Sequence, residues 1–338
     1  MKNQFRTNEF LEMLIRDISK QKSFTQYHLE EWKVIQSGRI QELKQLLKLE
    51  ELDYAYTSNL DCQEMERFFV KQAEVIKYSV KLVNTLTMAI YFVYPKKANG
   101  KTVLYLHGHD SLGARGSITI DENKEPYHKN IPLQMAEAGF RVVIPELLGL
   151  GEAVYEYLLK GKPATGSCFF NYAYLTVCGY DLTAIRVWQT GKVMNFIQKQ
   201  GYNTDILFGV SGGGLVCELV SVVDDRVENI IISSYANTYE DSILAKEQCV
   251  DNYIHGIGRI GNSYEILALA APKNLLLLNG NADRPFPMSG SQKAFTYLKE
   301  IYKKYRAENN LQTYIFEGRH EINSEIVLQW LSQQVEGK

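Results

Sequence analysis

Residues 205–220 read DILFGVSGGGLVCELV, and the rest of the chain is best understood outward from them. The apolar run Asp205–Val210 predicts a buried strand, and residues 212–223 predict a helix. At the joint stands Gly209-Val210-Ser211-Gly212-Gly213, a G-x-S-x-G pattern in a strand–turn–helix context. That context lifts a serine hydroxyl clear of the sheet edge on a sharp, strained turn. A Cβ at Gly209 or Gly213 would collide with strand or helix. The N–H of Gly212 opens the helix and faces developing negative charge. Ser211 is therefore the candidate nucleophile, and Gly212 a candidate backbone donor.

Outward from the elbow, short apolar runs alternate with amphipathic stretches. The runs are Leu86–Tyr94, Thr102–Leu106, Arg141–Pro145, Val227–Ser233, Asn274–Leu278 and Gln312–Phe316. Helical patterns fill 130–139, 181–200, 288–305 and 324–335. Strands alternating with helices predict an α/β fold with a mostly parallel central sheet flanked by helices. A sheet covered on both faces explains the unbroken leucines at 275–278. Residues 146–180 and 236–270 are long connections of the kind that carry functional loops or lids.

A serine needs a base, and the base needs an orienting carboxylate. Two histidines follow Ser211 in the chain, His255 and His320. His320 directly follows the last predicted strand, where catalytic groups of open α/β sheets gather. His255 lies in an irregular connection, so His320 is the candidate base. Asp283, in the loop after Asn274–Leu278, is the candidate acid, with Glu317 and Asp251 as rivals. The loop after Thr102–Leu106 reads His107-Gly108-His109-Asp110, and the N–H of His109 is the second candidate oxyanion donor. The His107 side chain is expected to brace that loop. Two histidines at i and i+2 also suggest a metal, but the pattern breaks at Ser111 and Leu112, so no metal is expected. No phosphate-binding glycine motif is present, and no cofactor is expected. Glu146 is a candidate pocket residue. Asp181 and Arg186 read as surface or structural ion-pair residues, and Phe169, Phe170, Tyr172 and Tyr174 as half-buried packing.

Residues 1–75 differ from the rest: one glycine, no proline, and apolar residues at helical spacing. They predict a helical N-terminal extension, a lid or homodimer element among its roles, attached to a catalytic unit over 76–338. The chain has 338 residues, 37 Lys plus Arg against 39 Asp plus Glu, which excludes the basic excess of a nucleic-acid binder. No apolar window is long enough to span a membrane. Five cysteines without a CxxC pair, and an N-terminus interrupted by charges, point to a reducing, cytoplasmic setting.

The LHGH loop, the PELLGLGE strand exit, the GVSGGG elbow, CVDNYIHGIG, the LLLLNGNADRPFP strand–loop and the final FEGRHE together resemble the α/β-hydrolase superfamily. Within it they resemble the dienelactone-hydrolase-related and acetyl-xylan-esterase-like bacterial serine hydrolases, over residues 78 to 338. The resemblance implies an esterase with Ser211 as nucleophile, Asp283 as acid, His320 as base and an oxyanion hole at Gly212 and His109. It implies a small-molecule ester substrate, an acetylated carbohydrate among them. Dienelactone hydrolases proper carry a cysteine where this chain has Ser211, which sets that lactone chemistry aside. A serine peptidase of the same fold, and a non-catalytic binding scaffold, remain alternatives at this point.

Overall fold

A computed structural model describes residues 7–18, 23–56, 59–121, 126–154 and 167–336. Its centre is a nine-stranded sheet in the order β1-β2-β3-β5-β4-β6-β7-β8-β9. The strands are β1 (Asp61–Val70), β2 (Ala73–Val83), β3 (Leu86–Tyr94), β4 (Thr102–Leu106), β5 (Arg141–Pro145), β6 (Ile206–Val210), β7 (Asn229–Ser233), β8 (Asn274–Gly280) and β9 (Leu311–Phe316). β1, β2 and β3 form an antiparallel meander, and β3 joins β5 antiparallel. From β5 through β4, β6, β7 and β8 to β9 every pairing is parallel.

The helices are α1 (Thr7–Ile18), α2 (Leu29–Leu46), α3 (Leu49–Ala55), α4 (Gly113–Gly116), α5 (Ile131–Glu137), α6 (Ser167–Val177), α7 (Leu182–Lys199), α8 (Gly212–Val223), α9 (Ser263–Ala268), α10 (Met288–Tyr305) and α11 (Ser324–Glu336). Side chains alternate between the two faces of the sheet. Leu275 and Leu277 join one core with residues of α2, α7, α8 and α10. Leu276 and Leu278 join the other with residues of α5 and α11. The continuous leucine run is thus a strand buried on both sides.

The helical reading of residues 1–75 is corrected at its end. Asp61–Val70 is a strand, and a second strand begins at Ala73. β1 lies at the sheet edge and is mostly exposed, so its sequence carries no apolar alternation. Glu64, Glu66 and Arg67 are good helix formers held extended by pairing with β2, and their charges guard the open edge. Arg67 bridges Glu64 at 2.8 Å and Glu74 at 2.5 Å. Upstream, α2 and α3 do form, and they bury Trp32, Leu43 and Leu52. Trp32 packs at a tilt against Phe24, ring centres 4.7 Å apart, and Gln36 donates to the Leu269 and Ala271 carbonyls. α2 shares the core of the sheet's α7–α10 side, and Leu52 of α3 packs with Ile185 and Trp188 of α7. The connections 146–180 and 236–270 contain α6 and α9, while residues 155–166 lie outside the described residues.

Candidate active site

Ser211 sits at φ 53°, ψ −124°, a conformation costly for any residue with a Cβ. The glycines around it make that turn possible. A Cβ at Gly209 would strike the Gly213 carbonyl and the Cys217 side chain. One at Gly213 would strike the Leu106 carbonyl. The Ser211 N–H donates to the Ser233 carbonyl at 3.0 Å, tying the elbow to the end of β7. β6 therefore delivers the serine, and α8 leads away from it.

His320, after β9, lies 2.8 Å from Ser211 Oγ through Nε2. Its Nδ1 lies 2.9 Å from Asp283 Oδ2, after β8. The arrangement has the Nδ1–H donating to Asp283, leaving Nε2 to accept the serine proton. Asp283 is 4% exposed, and its other oxygen accepts the Phe286 N–H at 2.9 Å. The imidazole lies between the rings of Phe286 and Tyr127, at 5.8 and 6.3 Å. The other candidates stand apart. His255 is exposed, its N–H donating to Asp181, and Glu317 is exposed, with no bond to His320. Asp251 serves a different partner.

That partner is His109. The loop after β4 crosses directly over the elbow: a Cβ on Gly108 would lie 2.9 Å from Ser211 Cβ and 2.8 Å from Tyr127 Oη. Among the described residues nothing accepts a hydrogen bond from the N–H of His109 or of Gly212. Two unspent backbone donors thus flank the nucleophile. His107 braces the loop: its Nδ1–H donates to the Gly108 carbonyl, and its Nε2 lies 3.2 Å from Glu146. Glu146, read from the sequence as a pocket residue, is instead fully buried and accepts the Ala114 N–H. The His109 ring turns away from His107, and its Nε2 reaches Asp251 Oδ2 at 2.8 Å. Burial opposes charge on that ring, but Asp251 overrides it and raises the imidazole to about 9. Burial likewise opposes charge on Asp251, yet His109 and Arg186 hold its carboxyl well below the usual range.

Arg186, read from the sequence as a surface or structural ion-pair residue, is a buried structural one whose pairing with Asp251 the sequence did not single out. It is 1% exposed, donates to Asp251 at 2.5 Å and to the Leu148 carbonyl at 2.9 Å. The available signal was an arginine inside LTAIRVWQT, where every neighbouring residue of α7 is buried. Phe169, Phe170 and Tyr174 on α6 are exposed, against the half-buried expectation. A cleft of about 610 Å³ opens beside the base, lined by Asp110, Leu112, Tyr127, His128, Arg319 and His320. Burial lowers the His128 imidazole to about 4, so that side chain is neutral at neutral pH.

No protein-family model matches the chain. YtaP of Bacillus subtilis (strain 168), a provisionally assigned hydrolase, is 26% identical over 229 residues, 63% of this chain and 71% of that one. A Bacteroides fragilis protein, provisionally assigned as an acetyl xylan esterase, superposes with TM-score 0.80 at 13% identity. The match covers 99% of this chain and 96% of that one. The methylesterase BT1017 gives 0.70 at 16%, covering 98% and 69%. A glucuronoyl esterase from Solibacter usitatus gives 0.59 at 13%, covering 86% and 91%. The chain has the α/β-hydrolase fold, in the form that these solved structures share. At such identities the likeness is one of fold. No described helix is long and apolar enough to cross a membrane.

Proposed function

We propose that the chain is a serine hydrolase that cleaves carboxylic esters through an acyl-enzyme. The observation that carries this reading is the hydrogen-bonded line from Ser211 through His320 to buried Asp283. Ser211 Oγ attacks the ester carbonyl as His320 Nε2 takes its proton. The tetrahedral oxyanion is held by the N–H groups of Gly212 and His109. His320 then protonates the leaving alcohol, and water repeats the sequence to release the acid. Asp283 fixes the tautomer and stabilises the imidazolium. The substrate is a small acyl ester, and the neighbour assigned as an acetyl xylan esterase favours an acylated sugar. All three members of the line are in hydrogen-bond reach of one another, which weighs against a binding scaffold that has lost its chemistry.

The direct test is labelling with a fluorophosphonate probe, followed by peptide mapping. Stoichiometric modification of Ser211, absent in Ser211→Ala, is expected. A folded wild-type protein that does not label would overturn the reading. A panel of acyl esters and aminoacyl amides then separates esterase from peptidase.

A further inference from the structure

Beside the nucleophile, four side chains that the proposed chemistry does not use converge on one point: His109, Cys168, Cys249 and Asp251. They come from three separate parts of the chain. His109 is on the loop after β4, Cys168 begins α6, and Cys249 and Asp251 lie between β7 and α9. One donor atom from each lies within 4.8 Å of all the others. We propose that these residues bind a single zinc ion in a closed tetrahedral site that fixes the loop carrying the His109 N–H.

The donor set argues for zinc. Two sulfurs, one imidazole nitrogen and one carboxylate oxygen are the ligand types of a structural zinc site, and hard cations such as magnesium avoid sulfur. The geometry agrees. Zinc bonds of about 2.0–2.3 Å place tetrahedral donors about 3.3–3.8 Å apart. His109 Nε2 and Cys168 Sγ are 3.8 Å apart. His109 Nε2 and Asp251 Oδ2 are 2.8 Å apart, and that pair opens by about 0.5 Å when the ion replaces the proton they share.

Arg186 fits the same reading. Its guanidinium donates to Asp251 and, at 3.2 Å, to Cys168 Sγ. A buried cation that touches two ligands and has no lone pair to offer the ion orients those ligands from outside, as partners of metal ligands do. The charges also close: the ion and Arg186 together balance two thiolates and Asp251 around a neutral imidazole. An ion-pair network of His109, Asp251 and Arg186 would need neither sulfur, yet both are brought to it. Cys249 is only partly buried, which leaves a path for the ion.

Four protein donors leave no open coordination position, so the ion holds structure and activates no water. What it holds is close to the chemistry. The His109 ring lies against Gly212, 2.8 Å from where a Cβ there would stand. His107, the other half of the His107-Gly108-His109 pattern, faces the Gly108 carbonyl and Glu146 and takes no part.

The test uses the full chain, produced with zinc in the medium and purified with reduced thiols and no chelator. Elemental analysis is expected to find about one zinc per chain, and close to none in Cys168→Ser/Cys249→Ser. Cobalt(II) in place of zinc is expected to give a thiolate-to-metal charge-transfer band and strong visible absorption, both lost in that variant. Cys249→Ser alone, at the more exposed ligand, gives a milder variant that should bind zinc more weakly and still fold. Three results would each overturn the proposal: no zinc retained and none captured from a chromophoric chelator; zinc undiminished in the double variant; or a Cys168–Cys249 disulfide in protein purified without oxidant. Fluorophosphonate labelling of Ser211 is read separately, so failure of the serine reading and failure of the metal site are distinguishable.

Discussion

Replacing Asp283 by Asn tests the proposed chemistry with little change of volume. Asp283 Oδ2 accepts the Nδ1–H of His320 at 2.9 Å, and Oδ1 accepts the Phe286 N–H at 2.9 Å. The asparagine oxygen retains the bond to Phe286, because a backbone N–H needs an acceptor. The new NH₂ group then faces His320 Nδ1 and can only donate to it. The imidazole must place its single proton on Nε2, the atom that has to accept the serine proton 2.8 Å away. The base is therefore present and in the wrong tautomer. In triads of this geometry that error costs about 10⁴-fold in kcat, or about 5.4 kcal/mol at 1.36 kcal/mol per decade. The assay is hydrolysis of p-nitrophenyl acetate, with kcat and KM resolved, beside a thermal melt to show that the variant folds. KM should move little. A folded variant that loses less than about tenfold would refute the role given to Asp283.

Other consequences follow from the fold. Gly209→Ala places a Cβ against the Gly213 carbonyl and the Cys217 side chain, and should cost about 1–3 kcal/mol or more in chemical denaturation; a neutral result would contradict the tight elbow. Trp32→Ala removes a fully buried indole from α2 and should cost about 3–5 kcal/mol, whereas a loss under about 1 kcal/mol would mean that α2 is only loosely attached. Glu218 on α8 is buried beside Ser263, and burial raises its carboxyl from 4.5 to about 8. Between those values the folded state keeps a proton that the unfolded chain has released. Stability present below pH ~4.5 is therefore lost progressively as pH rises through ~8, by up to several kcal/mol. Glu218→Gln should flatten that part of the stability–pH curve, and parallel curves for the two proteins would show that the carboxyl is ionised in the fold.

The parallel half of the sheet was legible because its strands are buried on both faces. Leu275 to Leu278 must all be apolar, so the run stands out without any partner in view. The line from Ser211 to Asp283 and His320 was legible for a related reason: each residue follows a strand in that half, at the end where loops gather. β1 was not legible, because an exposed edge strand owes its shape to β2 and not to its own residues. The cluster around Arg186 was hidden differently. Asp251 and Cys249 are 65 and 63 positions from Arg186, Cys168 is 18 away, and no local spacing joins them. Asp251 was weighed as a rival acid for His320, and only the fold shows that it serves His109.

β9 supplies the base, and it pairs with β8 alone at one margin of the sheet. The serine stands two strands inward from β8, on β6, where neighbours support it on both sides. The two halves of the proposed machinery therefore rest on ground of unequal firmness. Edge segments open at lower free energy than the centre of a sheet. A brief fraying of β9 and α11 would carry His320 out of reach while Ser211 and its elbow stayed intact. Hydrolysis would then fade on warming or in mild denaturant before the molecule as a whole comes apart, and turnover would report on the last strand more sensitively than on the core.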